Sequence, residues 1–173
     1  MSPVGVRYRG IAYRAHHPGW AYAPLSGEGA ALHGGRFNAH GVPALYLSLR
    51  PQTAWLEAQQ AFPFKAQPLT LCAYEIDREA IADPRLRATC LALEISTADI
   101  GCAWEKLALE RQEPPTWALA RRARAQGLDG LIYPSQAFAA TSDDDNLVLW
   151  RWDRGVTVID DFNRLPKNDS SWR

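Results

Sequence analysis

The chain is poor in cysteine. It has three, Cys72, Cys90 and Cys102, an odd number with no C-x-x-C spacing. That argues against a disulfide framework and against a cysteine-built zinc site. It also lacks an excess of either charge, with lysine plus arginine and aspartate plus glutamate at 19 each. A balance of that kind leaves no broad basic footprint, so no direct nucleic-acid partner is expected. The densest basic cluster, Arg121, Arg122 and Arg124, falls on a predicted helix and reads as a solvated face. No apolar run approaches the roughly 20 residues that cross a bilayer. No charged segment followed by an apolar one marks a secretory leader. The expectation is a cytoplasmic protein with no membrane partner. Repeats and low-complexity tracts are absent too. What remains is 173 residues, 47% hydrophobic and 22% charged. That suits one soluble globular domain with a real core, here expected over residues 1–162 and followed by a polar tail, 163–173, in which only Trp172 offers an anchor.

Glycine and proline crowd the first 41 residues, which read as strand fragments joined by long loops. Pro43 to Leu49 predicts a short strand, with Leu45, Leu47 and Leu49 on the core face and Ala44, Tyr46 and Ser48 on the other. Pro51 then starts a helix at a position where its missing N–H costs nothing, and the helix stops near Pro63. Leu69 to Ile76 alternates as a strand. Residues 78–100 are ambiguous, a loop with a short helix. Helices are predicted over Ala103–Arg111 and Thr116–Gln126, the second closed by Gly127. Leu131–Tyr133, Leu147–Trp152 and Val156–Ile159 are strand candidates. Strands and helices intersperse without regular βαβ alternation, so the fold class is α+β, a mixed sheet core with flanking helices. The seven tryptophans are expected mostly in the core, with some at a pocket wall or partner surface.

Chemistry concentrates after that glycine-rich start. Arg36 follows Gly34-Gly35, where bare backbone lets a ligand approach closely and a guanidinium suits a phosphate. The block is neither a Walker loop nor a G-x-G-x-x-G turn, so a surface arginine after a glycine turn explains it equally well. Tyr46 can stack on a ring or bond a ribose, or be an ordinary half-buried strand tyrosine. Glu57 follows on the next helix, flanked by the small Thr53, Ala54 and Ala61, which would let a carboxylate look into a cleft. A surface glutamate is the plainer reading. Ser135 ends a strand, and no nucleophile elbow or triad order surrounds it. Asp143-Asp144-Asp145 reads as a solvated turn rather than a hard-cation site. His16, His17, His33 and His40 lack metal-ligand spacing, and His33 and His40 are expected at the pocket mouth. No metal or resident cofactor is expected.

Taken together, Tyr13-Arg14, Leu25 to Gly29, Gly34-Gly-Arg-Phe-Asn38, Gly41 to Ser48, Thr53 to Glu57, Gly130 to Ser135 and Asn146 to Leu149 resemble the RES domain family, named for its arginine, glutamate and serine. The resemblance runs from about residue 7 to 160. It implies an ADP-ribosyltransferase-like fold and a toxin of a bacterial type II toxin–antitoxin system. Such a toxin depletes NAD+ by phosphorolysis or hydrolysis of the nicotinamide–ribose bond, with NAD+ as substrate and inorganic phosphate as a co-substrate. The partner implied is an Xre-type helix-turn-helix antitoxin, and a homodimer stays open. Arg36, Tyr46 and Glu57 become the expected catalytic residues, with Arg14, Ser135, Gly35 and Asn146 contacting substrate. Phe37 stands where many members have tryptophan. Residues 78–113 match nothing in the family pattern. Two alternatives remain: a protein ADP-ribosyltransferase, and a catalytically silent partner-binding protein.

Overall fold

The computed structural model describes residues 4–60 and 66–168. Ala61 and Trp172, both given a place in the sequence reading, lie outside them. Strand β1 (Gly5–His16) pairs antiparallel with β3 (Thr70–Ala82) from Gly5↔Ala82 to His16↔Thr70. Strands β2 (Leu45–Ser48), β5 (Asp145–Leu149) and β4 (Gly130–Pro134) follow across the sheet. The order is β1-β2-β5-β4-β3, and the β1–β3 ladder closes these strands into a small barrel. Closure depends on the length of β3. One edge carries β1, while the other holds β6 (Val156–Val158) opposite Tyr74 to Ile76 and β4 opposite Ile81 and Ala82. The β3–β4 pair is parallel and the rest are antiparallel. The expected α+β class and mixed sheet therefore hold, with closure added.

Helices α1 (Glu28–His33) and α2 (Pro51–Gln59) flank β2 in sequence. Helices α3 (Arg87–Leu93), α4 (Thr97–Ile100), α5 (Trp104–Leu109) and α6 (Pro115–Ala125) fill the chain between β3 and β4. Two cores result. Leu45, Leu47, Leu147, Leu149, Ile132 and Tyr74 pack inside the barrel. On the opposite face Ala44, Val148, Leu131 and Tyr133 pack with Leu93, Ile100 and Leu119 of the helices. Leu45 and Leu47 of β2, with Leu49 just past it, do face a core, but the face carrying Ala44, Tyr46 and Ser48 is covered as well. A strand buried on both faces reads as a continuous apolar run.

Two expectations fail. The first 41 residues are not strand fragments, because β1 alone runs 12 residues. Its glycines suggested loops, yet Gly5 lies in the strand where an added Cβ would sit 3.0 Å from Ala80 Cα. Arg7 and Arg9 are exposed strand residues, and Arg7 forms a two-bond pair with Asp77. The tryptophans are not mostly core. Among the described residues only Trp150 is fully buried, while Trp20 and Trp55 are exposed. Two half-buried ones use their indole N–H on loop carbonyls, Trp117 on Gly35 and Trp152 on Leu25.

Candidate active site

The glycine block forms a tight turn after α1. Gly34 has φ +71°, a left-handed conformation that suits glycine, and the Gly35 N–H donates to the Asn38 carbonyl at 2.9 Å. Several polar groups around the turn are spent inward. Asn38 Nδ2 donates to the carbonyls of Ala30 and Val42. Trp117 and Trp150 donate to the carbonyls of Gly35 and Phe37. The Tyr46 hydroxyl accepts the Phe37 N–H at 2.9 Å and donates to Asn38 Oδ1 at 2.7 Å. Burial pushes that phenol well above its ordinary range. A Cβ on Gly35 would stand 2.6 Å from the same hydroxyl, so the tyrosine and the glycine fit only each other. The phenol therefore holds the turn, and only the ring of Tyr46 is left for the cleft.

Glu57 is held differently. In α2, Thr53 and Glu57 share one face at i, i+4 spacing. Thr53 Oγ1 donates to Asp144 Oδ1 at 2.5 Å, fixing the helix's first turn to the start of β5. That bond, with two more from Thr141, holds the Asp144 carboxyl down to about 2. The aspartate triplet is thus an anchor at its middle residue, not a wholly solvated turn. One helical turn later Glu57 Oε1 accepts from Ser135 Oγ at 2.6 Å and from Asn146 Nδ2 at 2.5 Å. Ser48 Oγ donates to Asn146 Oδ1 at 2.8 Å, which fixes the amide so that its nitrogen meets the carboxylate. Among the described residues Glu57 Oε2 meets only the exposed Gln60 amide.

These side chains stand in one row. Tyr13, Ser48, Asn146 and Tyr133 are successive register partners across β1, β2, β5 and β4. All four line a cleft of about 670 Å³, together with Arg14, Gly35, Arg36, Tyr46, Glu57 and Trp104. The cleft lies where β1 and β2 part, since they pair only at Tyr13↔Ser48. Its size and mixed polarity suit a small organic ligand.

Two cations border it. Arg36 Nη1 donates to the carbonyls of Ile100 at 2.9 Å and Cys102 at 2.8 Å, so one arm ties down the α4–α5 connection. Nε and Nη2 have no acceptor among the described residues and remain available to an anion. Arg14 donates to the Ser26 carbonyl at 3.2 Å, and its burial lowers its pKa. Two arginines flanking a held carboxylate can bind a diphosphate and steady a nearby cationic centre.

The structure thus gathers Arg14, Gly35, Arg36, Tyr46, Glu57 and Asn146 on one cleft wall, with Ser135 bonded to Glu57 from beside it. His33 and His40 are not among its lining residues, and His40 instead meets the Leu32 carbonyl. Sequence reasoning missed Tyr13, Ser48, Tyr133, Trp104, Glu105 and Gln136 as lining residues. For Ser48 a signal existed, since it shares a strand face with Tyr46. Among the described residues no cluster of histidine, cysteine, aspartate or glutamate could hold a metal ion, and no helix is long and apolar enough to cross a membrane.

A small barrel with flanking helices, and a cleft that brings two arginines to one side-chain carboxylate, defines an α+β protein with a candidate ligand site. The RES domain model matches residues 11–166, and the chain belongs to that family. In structure it is similar to MbcT in the crystal structure of the M. tuberculosis MbcT–MbcA toxin–antitoxin complex. The TM-score is 0.67 at 20% identity, covering 90% of this chain and 84% of the other. Comparison with curated protein sequences finds no match.

Proposed function

We propose that this chain is the toxin of a bacterial toxin–antitoxin pair and that it destroys NAD+ by breaking the nicotinamide–ribose bond. Family membership and the MbcT–MbcA likeness support the toxin reading, and the likeness to ADP-ribosyltransferases is part of the same proposal. The observation that carries the chemistry is the Glu57 carboxylate. It is fixed by Ser135 and Asn146 on a cleft that also presents two arginines.

In this reading the free edge of Arg36, with Arg14, binds the diphosphate. Glu57 Oε1 is already occupied by two donors, so Oε2 is the oxygen for a ribose hydroxyl, displacing the exposed Gln60 amide. As the C–N bond stretches, its electron pair passes to the pyridinium nitrogen and nicotinamide leaves neutral, needing no strong general acid. Positive charge grows on the sugar carbon, where a nearby oriented carboxylate favours the transition state over the ground state. An oxygen of phosphate, or of water, then forms the new bond to that carbon. The partner in this proposal is an Xre-type antitoxin that covers the cleft, and the pair acts in the cytoplasm.

The test is incubation of the purified protein with NAD+, with and without inorganic phosphate, and identification of products by mass. Free nicotinamide with ADP-ribose-1″-phosphate in phosphate, or with ADP-ribose in its absence, is the expected outcome. Label from NAD+ fixed on a protein would indicate transfer instead, and intact NAD+ would refute the catalytic reading.

A further inference from the structure

One wall of the cleft comes from a part of the chain that carries no family motif. Trp104 and Glu105 open α5 and line the cleft. Their position is fixed from three sides. Arg36 Nη1 holds the carbonyls of Ile100 and Cys102. The Cys102 carbonyl also accepts the Trp104 N–H at 2.9 Å, and Cys102 Sγ meets Thr116 Oγ1 of α6 at 3.9 Å. A guanidinium spent on a wall is costly unless the wall matters, because each buried charge-assisted bond withdraws a donor from solvent.

Arg36 and Trp104 meet through the Cys102 carbonyl, which accepts from both, whereas Glu57 is tied to Ser135 and Asn146. If Glu57 serves the reacting ribose and Arg36 the diphosphate, the remaining half of a dinucleotide reaches Trp104. The indole is half-buried there, a flat surface that an aromatic base can stack on. Glu105 beside it is an acceptor for an exocyclic amine and repels a further phosphate. We propose that Trp104 is the stacking platform for the purine base, making it a specificity-determining residue that favours NAD+ over nicotinamide mononucleotide. This rests on the NAD+ reading above.

The test does not depend on turnover. ADP, which carries the base and the diphosphate but no nicotinamide ribose, is titrated calorimetrically into wild type, Trp104→Ala and Trp104→Phe, with inorganic pyrophosphate as control. Loss of one base stack should weaken ADP by about tenfold to a hundredfold in Trp104→Ala. Trp104→Phe should retain most of the affinity, and pyrophosphate should bind all three alike. Trp104→Leu replaces the alanine variant if that protein melts early. Unchanged ADP affinity in the non-aromatic variant, a parallel loss of pyrophosphate, equal loss in Trp104→Phe, or no ADP binding by wild type would each overturn the inference. NAD+ cleavage by wild type is read separately, so a protein that binds ADP through Trp104 without consuming NAD+ would refute only the proposed reaction.

Discussion

Two regions bordering the strand row solve opposite problems. At the turn of residues 34–38, Tyr46, Asn38, Trp117 and Trp150 direct their polar groups into the protein. At the Glu57 end, Ser135 and Asn146 spend their donors on a carboxylate that borders an open cleft. The first arrangement buries polar groups and satisfies them. The second keeps a charge oriented and partly unsatisfied. An expected catalytic tyrosine and an expected catalytic glutamate thus differ in kind: Tyr46 positions the segment bearing Arg36, whereas Glu57 is free to meet a ligand.

The largest effect should come from Glu57→Gln. It keeps the volume but removes the charge, and turnover of NAD+ should fall by roughly two to three decades with little change in melting. Next is Tyr46→Phe, which leaves the Phe37 N–H and Asn38 Oδ1 without their partner. Equilibrium unfolding should register about 2–4 kcal/mol of lost stability, with turnover of the folded fraction much less affected than in Glu57→Gln. Retained stability would place the phenol in the cleft instead.

Acid separates the barrel from the site. His16 is buried against the Tyr74 hydroxyl at 2.7 Å. Desolvation, aided by Arg14, lowers its pKa from 6.5 to about 4. The unfolded chain therefore takes up the proton first. This contribution to stability is complete above pH 6.5 and is lost progressively as pH falls toward 4. Over the same range Asp144, held down to about 2 from 3.8 by Thr53, keeps α2 anchored. Denaturation curves between pH 7 and 4 should show falling stability in wild type and a shallower slope in His16→Gln. The smallest effect expected is Ser48→Ala. Removing one donor to Asn146 should cost about 1 kcal/mol and lower turnover modestly, as the amide loses its fixed orientation.

What was legible in the sequence follows the same division. The turn is local, so Gly34 to Asn38 and Tyr46 announced themselves as a block. Strand β2 and helix α2 were legible too, because Pro51 marks the junction and leucines mark the strand. Strand β1 was not, since its partner β3 lies far along the chain and glycines at positions 5 and 10 resemble turns. The Glu57 constellation needs β4 and β5 to bring Ser135 and Asn146 beneath α2. Only the family pattern linked those residues beforehand, and no periodicity reveals which hydrogen bonds they make. The Arg36 latch on Ile100 and Cys102 was equally hidden, because carbonyl acceptors leave no mark in a sequence.

The most direct test measures NAD+ turnover and unfolding free energy on the same preparations of wild type, Glu57→Gln and Tyr46→Phe. The account predicts a crossed result, with Glu57→Gln stable and nearly inactive and Tyr46→Phe destabilised but active while folded. Near-normal turnover in folded Glu57→Gln, or a Tyr46→Phe protein that is stable yet equally inactive, would contradict it.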